Sequence, residues 1–314
     1  MLTVRIAIAT EIADGLMLQF RRYTTEERTE RLQALLDARE RNESTFECLI
    51  ALQDDRVVGA QLLIRQRDDT FYVWPAELEK QFAQTTVAVE ALRQLYELAD
   101  QRFRDSQFWI AQSLLELDRK KQSAEMTRHG FPYLTDLLFM GRSFAGADPL
   151  PDRPTAFTSV AFDEPVNGER FARVFEATYV DTLDCPELNA GERTGANALA
   201  GHKIAGLFDP QGWRIFQVDG EDVGISLLTQ HFPDPVWEVV YIGIIPSARG
   251  RGLGRAILVD SLYYVLGHGA WEIVLGVDKR NQPAIAMYEQ LEFGLIEQRL
   301  VHARLRPKIG RAHV

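Results

Sequence analysis

A glycine-rich segment, SARGRGLG at residues 247–254, constrains the local fold more than any other part of the sequence. It follows an apolar run at residues 237–245 and precedes a second one at residues 255–266. This order predicts a strand that passes through a tight turn into a helix. Glycine admits positive φ angles and close approach of a ligand, and the free N–H groups of a helix N-terminus attract anions. The segment therefore predicts a phosphate-binding turn, to which positive charge is added by Arg249, Arg251 and Arg255.

Two common phosphate-binding motifs do not fit this segment. A Walker-type loop requires a Lys-Ser or Lys-Thr pair after its last glycine, and none follows Gly254. The dinucleotide fingerprint G-x-G-x-x-G fails on register, because the glycines stand at positions 250, 252 and 254. A different class of phosphate site is therefore indicated.

Residues 249–254 match another signature, R/Q-x-x-G-x-G/A. It is the signature of the GCN5-related N-acetyltransferases (GNATs), which the chain resembles strongly over about residues 167–306 and weakly over the first half. Residues 281–294, NQPAIAMYEQLEFG, are similar to the family's N-x-x-A-x-x-x-Y helix and the corner after it. Glu238 stands eleven residues before the signature, where family members often carry a general base.

One departure from the family pattern occurs in the corner after that helix. Glu292 stands where the family usually has glycine before Phe293, so the local geometry of this corner is left open.

The resemblance implies acetyl-CoA as co-substrate and direct transfer to an amine within a ternary complex. Glu238 would remove the ammonium proton, directly or through a water, and Tyr288 would protonate the leaving thiolate. Gly243 is expected to mark a strand bulge beside the cofactor. Alternatives stay open, since Glu238 also fits a surface carboxylate, Tyr288 a packed helix residue and Asn281 a helix cap. The residues implied in cofactor binding are Ile244, Ile245, Arg249, Gly250, Arg251, Gly252, Leu253, Gly254, Arg255 and Asn281.

The acceptor pocket of the family is formed largely by its first helices and their loop, which correspond here to residues 171–193. Tyr179 and Asp184 are candidates for contact with a cationic amine, although an ordinary solvated loop explains them equally well. Cys185 is expected to be a packed thiol, because direct transfer needs no acyl-enzyme. None of the six histidines has a partner at metal-ligand spacing, so no metal is expected and all six are interpreted as structural or solvent-facing.

The two halves of the chain show a similar order of elements, which predicts an internal duplication with an offset of roughly 160 residues. Hairpins are expected at residues 46–66 and 213–230, each around a short Asp-containing turn. Two unrelated α/β halves remain the alternative. The resemblance implies an α/β fold class with two tandem GNAT-like domains, each expected to be a mixed and mostly antiparallel sheet flanked by helices.

A segment with three prolines, residues 146–156, is interpreted as the linker between the two copies. Residues 1–145 are expected to form a degenerate, noncatalytic copy, and residues 157–314 the active one. The first copy has no glycine loop, and alignment of the two corners places Met126 opposite Tyr288. No acetyl-CoA is expected in it.

The charge and composition restrict the class of partner. A formal net charge of -10 and a pI near 5.2 disfavour binding to nucleic acid and to anionic membranes. With two cysteines, no signal-like N-terminus and no long apolar run, a cytoplasmic location is expected.

The leading functional interpretation is an N-acetyltransferase for a small-molecule or peptide amine. The tandem arrangement and length also resemble mycothiol synthase, and a noncatalytic acyl-CoA-binding sensor is the alternative from another class. The acceptor and the oligomeric state stay open.

Overall fold

The computed structural model describes residues 1–41, 44–66, 70–147, 149–155, 157–187, 194–231 and 233–306. The helices are α1 (Ile12–Gln19), α2 (Thr25–Glu40), α3 (Val87–Arg104), α4 (Lys120–Arg128), α5 (Glu164–Tyr179), α6 (Gly195–Lys203), α7 (Leu253–Gly267) and α8 (Gln282–Glu289). The strands are β1 (Leu2–Ile6), β2 (Ser44–Gln53), β3 (Arg56–Gln66), β4 (Thr70–Val73), β5 (Glu77–Leu78), β6 (Ile110–Glu116), β7 (Tyr133–Ser143), β8 (Thr158–Ala161), β9 (Leu207–Phe208), β10 (Arg214–Val218), β11 (Glu221–His231), β12 (Val236–Ile244), β13 (Glu272–Asp278) and β14 (Gly294–Leu305). Within these residues, no helix combines the length and the apolar character that a membrane span requires.

The chain divides into two compact units, Met1–Leu134 with Leu300–Val314, and Thr135–Arg299. Strand β7 belongs to the second unit from Thr135 onward, because it pairs with β13 in antiparallel fashion over seven residues. The compact units therefore differ from the predicted copies 1–145 and 157–314. That boundary between copies stays a prediction.

The first unit contains β1, β2, β3, β4 and β6 in that spatial order. The first three pairings are antiparallel, and β4 pairs with β6 in parallel. Helix α3 buries an apolar face of alanines, Leu95 and Phe103 in the largest core cluster of this unit. Helix α1 contributes Leu16 to a separate cluster with Phe20 and Leu62.

The second unit contains β7, β13, β12, β11, β10 and β8 in that order. Only β12 and β13 pair in parallel, and the other neighbours are antiparallel. Helix α7 is buried along most of its length against β12 and β13, and α5 and α6 pack on another core cluster around Trp213. The predicted fold class, a mixed and mostly antiparallel sheet flanked by helices, is confirmed.

Both predicted hairpins are confirmed. The turns between their strands have positive φ at both central residues, 51° and 61° at Asp54 and Asp55, and 53° and 83° at Asp219 and Gly220. Such turns match the right-handed twist of paired strands. The helix that follows each meander begins at Val87 in α3 and at Leu253 in α7, 166 residues later.

The corner after α4 and the corner after α8 also correspond. Phe131 N–H donates to the carbonyl of Met126 at 2.9 Å, and Phe293 N–H donates to that of Tyr288 at 3.0 Å. Met126 and Tyr288, which the alignment places opposite each other, are both buried. The open question at Glu292 is answered by a φ of 63°, a left-handed conformation that glycine usually provides.

Candidate functional site

Strands β12 and β13 separate in the middle of the second unit. Their parallel pairing runs only from Val236–Glu272 to Val239–Leu275, although β12 continues to Ile244 and β13 to Asp278. Backbone groups of residues 240–244 therefore have no ladder partner on β13. This opening is the cleft expected beside Ile244 and Ile245.

The strand bulge lies earlier than expected. Strand β11 pairs Leu227 with Tyr241 and Leu228 with Val239, so Val240 is the extra residue. Gly243 has a different role from the predicted one. A Cβ at Gly243 would lie 2.7 Å from Thr178 Oγ1, so glycine there permits α5 to approach β12.

The glycine loop leads directly into α7. Gly250 and Gly252 have φ angles of 74° and 77°, and a Cβ on either would meet no atom within 4 Å. These glycines are therefore required by their backbone conformation, and the space above them is open. Gly254 lies inside the first turn of α7.

The N-terminus of α7 offers backbone donors at this open surface. Gly252 is the N-cap and provides no side-chain cap, and Ala256 N–H is the donor to the Gly252 carbonyl at 3.1 Å. The N–H groups of Leu253, Gly254 and Arg255 precede that bond and have no intrahelical acceptor. With the helix dipole, they are donors of the kind that an anion site requires. That a phosphate binds there stays a prediction.

The three arginines of the loop differ in their roles. Arg249 donates to the carbonyl oxygens of Ile244, Thr178, Val180 and Asp181 at 2.7–3.0 Å. Its guanidinium therefore fastens the end of β12 to the segment after α5, and its main chain is what remains for a phosphate. Arg251 and Arg255 are exposed beside the loop.

Glu238 lies on β12 next to a residue that sequence reasoning missed. His231 Nε2 is 2.8 Å from Glu238 Oε2, and this hydrogen bond raises the pKa of His231 despite partial burial. The side chains are 39% and 30% exposed, so solvent reaches both. The spacing of the two residues around the β11–β12 turn is the signal that could have found the pair.

Tyr288, Asn281 and Asp184 converge at the far end of β13. Burial raises the pKa of Tyr288 above its ordinary value, and the nearby Asp184 carboxylate adds to the shift, so Tyr288 holds its proton at neutral pH. Asn281 caps α8 by accepting from Ala284 N–H at 3.4 Å, and its side chain also hydrogen-bonds Asp184. Burial and the Asp278 charge raise the pKa of Asp184 to about 6.

The segment after α5 is tied to the end of β13 by charge. Asp184 accepts from Asp278 N–H at 3.0 Å, and Cys185 N–H donates to Asp278 Oδ2 at 3.1 Å. Burial alone would raise the pKa of Asp278, but hydrogen bonds from Arg280, Thr135 and the main chain lower it to about 2.

Ligand atoms of Asp184, Cys185 and Asp278 lie within 4.8 Å of one another. Both Asp278 oxygens already accept hydrogen bonds from protein donors, and Arg280 is the cation paired with this carboxylate. These contacts hold the segment that contains Cys185 against the end of β13. Burial raises the pKa of the Cys185 thiol, and a protonated thiol is a weak nucleophile.

Tyr179, the last residue of α5, stacks on Tyr241 of β12 with ring centroids 5.4 Å apart. The Tyr241 hydroxyl bonds Thr178 Oγ1 at 2.7 Å. An aromatic wall therefore stands beside the cleft. Of the predicted acceptor loop, residues 188–193 lie outside the described residues.

The predicted catalytic residues lie at different levels of the cleft. Glu238 is level with Val274, whereas Tyr288 and Asn281 follow Asp278, four residues further along β13. Four strand residues span roughly 13 Å at ~3.3 Å each.

Residues 181–293 match the family model described as Acetyltransferase (GNAT) family. A mycothiol acetyltransferase of Frankia alni is 30% identical over 188 residues, which cover 56% of this chain and 55% of that protein. One from a Nocardioides species is 30% identical over 191 residues, covering 56% and 63%. One from Thermomonospora curvata is 40% identical over 86 residues, covering 27% and 29%. The matches thus span less than two thirds of these relatives.

Two solved structures resemble the chain over nearly its whole length. A GCN5-related N-acetyltransferase from Sphaerobacter thermophilus has a TM-score of 0.60 and 16% identity, covering 98% of this chain and 96% of that one. A tandem GNAT protein from the clavulanic acid biosynthesis pathway has a TM-score of 0.51 and 14% identity, covering 97% and 98%. At these identities the likeness concerns the fold, and the fold is that of a tandem GNAT protein.

Proposed function

Since residues 181–293 belong to the GNAT family of acetyltransferases, we propose that the protein is an N-acetyltransferase that moves an acetyl group from acetyl-CoA to a primary amine. One observation carries the proposal. The uncapped N-terminus of α7 presents free N–H groups at an open surface over Gly250 and Gly252, directly after the strand that separates from β13. A diphosphate fits such donors.

The residues around the cleft support direct transfer. The backbone groups of residues 240–244 that have no partner on β13 would hold the pantetheine arm and polarise the thioester carbonyl. Acetyl-CoA supplies the activated acetyl group when bound. The phenol of Tyr288 holds a proton for the leaving sulfur, and Asn281 positions the start of α8.

Glu238 is proposed as the general base for the acceptor ammonium. Its side chain is 30% exposed, so solvent reaches the carboxylate and a bridging water can carry the proton to it. Tyr179 and Asp184 would line the acceptor side, where the aromatic wall offers apolar area and Asp184 a carboxylate near its titration point at neutral pH.

The test is turnover with the purified chain. Acetyl-CoA and a panel of amines should yield free CoA thiol, and Glu238→Gln should lower the rate by about a hundredfold while calorimetry shows unchanged CoA affinity. Binding of CoA without thiol release for every amine would favour the noncatalytic sensor. Lack of any CoA affinity would contradict both the acetyltransferase and the sensor.

A second candidate concerns the acceptor. Relatives that are 30% identical over some 190 residues are mycothiol acetyltransferases, so the amine form of mycothiol, without its acetyl group, belongs in the panel. A kcat/KM at least tenfold above that of simple amines would favour this acceptor.

A further inference from the structure

The carboxylate of Glu238 on β12 is hydrogen-bonded by His231 of the neighbouring strand β11. β11 and β12 pair Thr229 with Glu238 and His231 with Val236, so His231 and Glu238 are diagonal neighbours on one face of the sheet. Their 2.8 Å contact joins Nε2 to Oε2. We propose that His231 is a positioning residue for catalysis, which orients the Glu238 carboxylate and switches its basicity with pH. This inference rests on the proposed function.

The direction of the hydrogen bond follows from the chemistry of the two groups. An ionised carboxylate only accepts, so the imidazole must donate Nε2–H to Oε2. Oxygen Oε1 is then left for the acceptor ammonium or its bridging water. The proton that leaves the ammonium ends on Oε1, and His231 keeps its own proton throughout.

The shift in the pKa of His231 comes from Glu238 and from burial, and other charged groups stand nearby. Glu272 of β13 pairs with Val236 and lies on the same face, and Asp234 stands in the β11–β12 turn. β9 contributes Leu207 and Phe208 opposite Gln230 and Thr229, and neither titrates. Lys203 at the end of α6 lies 5.5 Å from the Phe208 ring, but its ammonium pairs with Glu164 at 2.8 Å.

Protonation of His231 changes the reactivity of Glu238. Below the pKa of His231 the carboxylate faces an imidazolium, which stabilises its ionised form and weakens it as a base. Above that pKa the imidazole is neutral and Glu238 is the stronger base. The hydrogen bond to Glu238 raises the pKa of His231 above its usual value. The activity should therefore increase with pH, with its midpoint above the usual pKa of histidine.

The first measurement needs no substrate. Histidine ring NMR of the full chain is followed against pH, and the His231 signal is identified by its loss in His231→Gln. The His231 pKa should fall in Glu238→Gln, with the other histidine signals unmoved. Identical titration of His231 in both proteins would overturn the proposal.

The second measurement is the pH profile of kcat/KM with acetyl-CoA and the best amine of the panel. His231→Gln should move the acidic limb to lower pH, and His231→Ala should lower kcat about tenfold at neutral pH with KM for acetyl-CoA unchanged. His268→Gln, an exposed histidine bonded to the Tyr264 carbonyl, is the matched control and should leave the profile in place. If the acidic limb of the kcat/KM profile lies at the same pH in His231→Gln as in the unmodified protein, His231 does not control the basicity of Glu238.

Failure of the two proposals can be told apart. If no amine gives turnover, the acetyltransferase proposal fails, and the NMR titration still decides whether His231 and Glu238 form a coupled pair. If turnover occurs and the NMR shift is absent, only the role of His231 is refuted.

Discussion

The segment from β12 to α7 in the second unit and the segment from β5 to α3 in the first have the same order of strand, turn and helix. They differ in the side chains at equivalent positions. Gly59 pairs with Leu78 as Gly224 pairs with Ile244, so Glu77 occupies the position of Gly243. Thr86, the N-cap of α3, occupies that of Gly252 and has a φ of -66° instead of 77°. The comparison teaches that one backbone scaffold holds either an open anion site or a closed turn, depending on a few residues.

The region of the first unit that corresponds to the cleft of the second is occupied by side chains of the first unit itself. Pro75, between β4 and β5, has no N–H to donate. The buried Glu77 pairs with Arg119 and, at 3.0 Å, with Arg21. Arg119 is the N-cap of α4, as Asn281 is of α8. An internal ion pair thus occupies the place where a cofactor arm would lie, which supports a structural role for the first unit.

The largest expected effect comes from breaking that ion pair. Glu77→Gln leaves the buried Arg119 guanidinium without its counter-charge and should lower the free energy of unfolding by about 3–5 kcal/mol. Urea denaturation measures the change. Glu79→Gln is the matched control, because its partner Arg56 is 65% exposed, and it should change stability by less than about 0.5 kcal/mol. Equal effects of the two variants would mean that Glu77 does not stabilise the filled cleft.

The next effect concerns the loop. Gly252→Thr installs the residue of the first unit at a φ of 77°, where a β-branched side chain is strained and covers the free N–H groups. CoA affinity by calorimetry should fall about a hundredfold. Gly269→Thr carries similar strain, at a φ of 78° in open space after α7, and should leave the affinity unchanged. If both lose affinity alike, general destabilisation is the cause.

A smaller effect is expected at the corner helix. Tyr288→Met, the residue of the first unit, removes the phenol but keeps an apolar side chain in the buried site. kcat should fall at least tenfold with CoA affinity retained, and Tyr288→Phe should behave in the same way. Full activity of both variants would assign the leaving-group proton to another donor. Met126→Tyr, the reverse change in the first unit, should give no gain.

Much of this comparison could be predicted from the sequence. The two hairpins, the phosphate-type turn and the match of Met126 with Tyr288 follow from local patterns, since turn residues and apolar periodicity act over short range. The signature at residues 249–254, together with the repeated order of elements, predicts the tandem GNAT fold, which is confirmed.

Features that depend on contacts distant in sequence could not be predicted. The guanidinium of Arg249 binds carbonyl oxygens some 70 residues earlier in the chain, whereas its position in the signature suggested a direct role toward phosphate. The bulge at Val240 depends on the register with β11, and glycine at position 243 reflects packing against Thr178. The sequence alone leaves His231 as a structural or solvent-facing residue, because Glu238 becomes its neighbour only when β11 and β12 pair.

The smallest expected effect is at Glu292, where the corner of the second unit lacks the glycine that the first has at Gly130. Glu292 holds a φ of 63° and places its carboxylate 2.9 Å from the buried Arg142, which also donates to the Leu291 carbonyl. Glu292→Gln keeps the backbone strain and removes the charge, and should cost about 1–2 kcal/mol. Glu292→Gly removes the charge but relieves the strain by about 1 kcal/mol, so it should cost less. If Glu292→Gly unfolds at a lower temperature than Glu292→Gln, the backbone strain at φ 63° does not decide the stability of this corner.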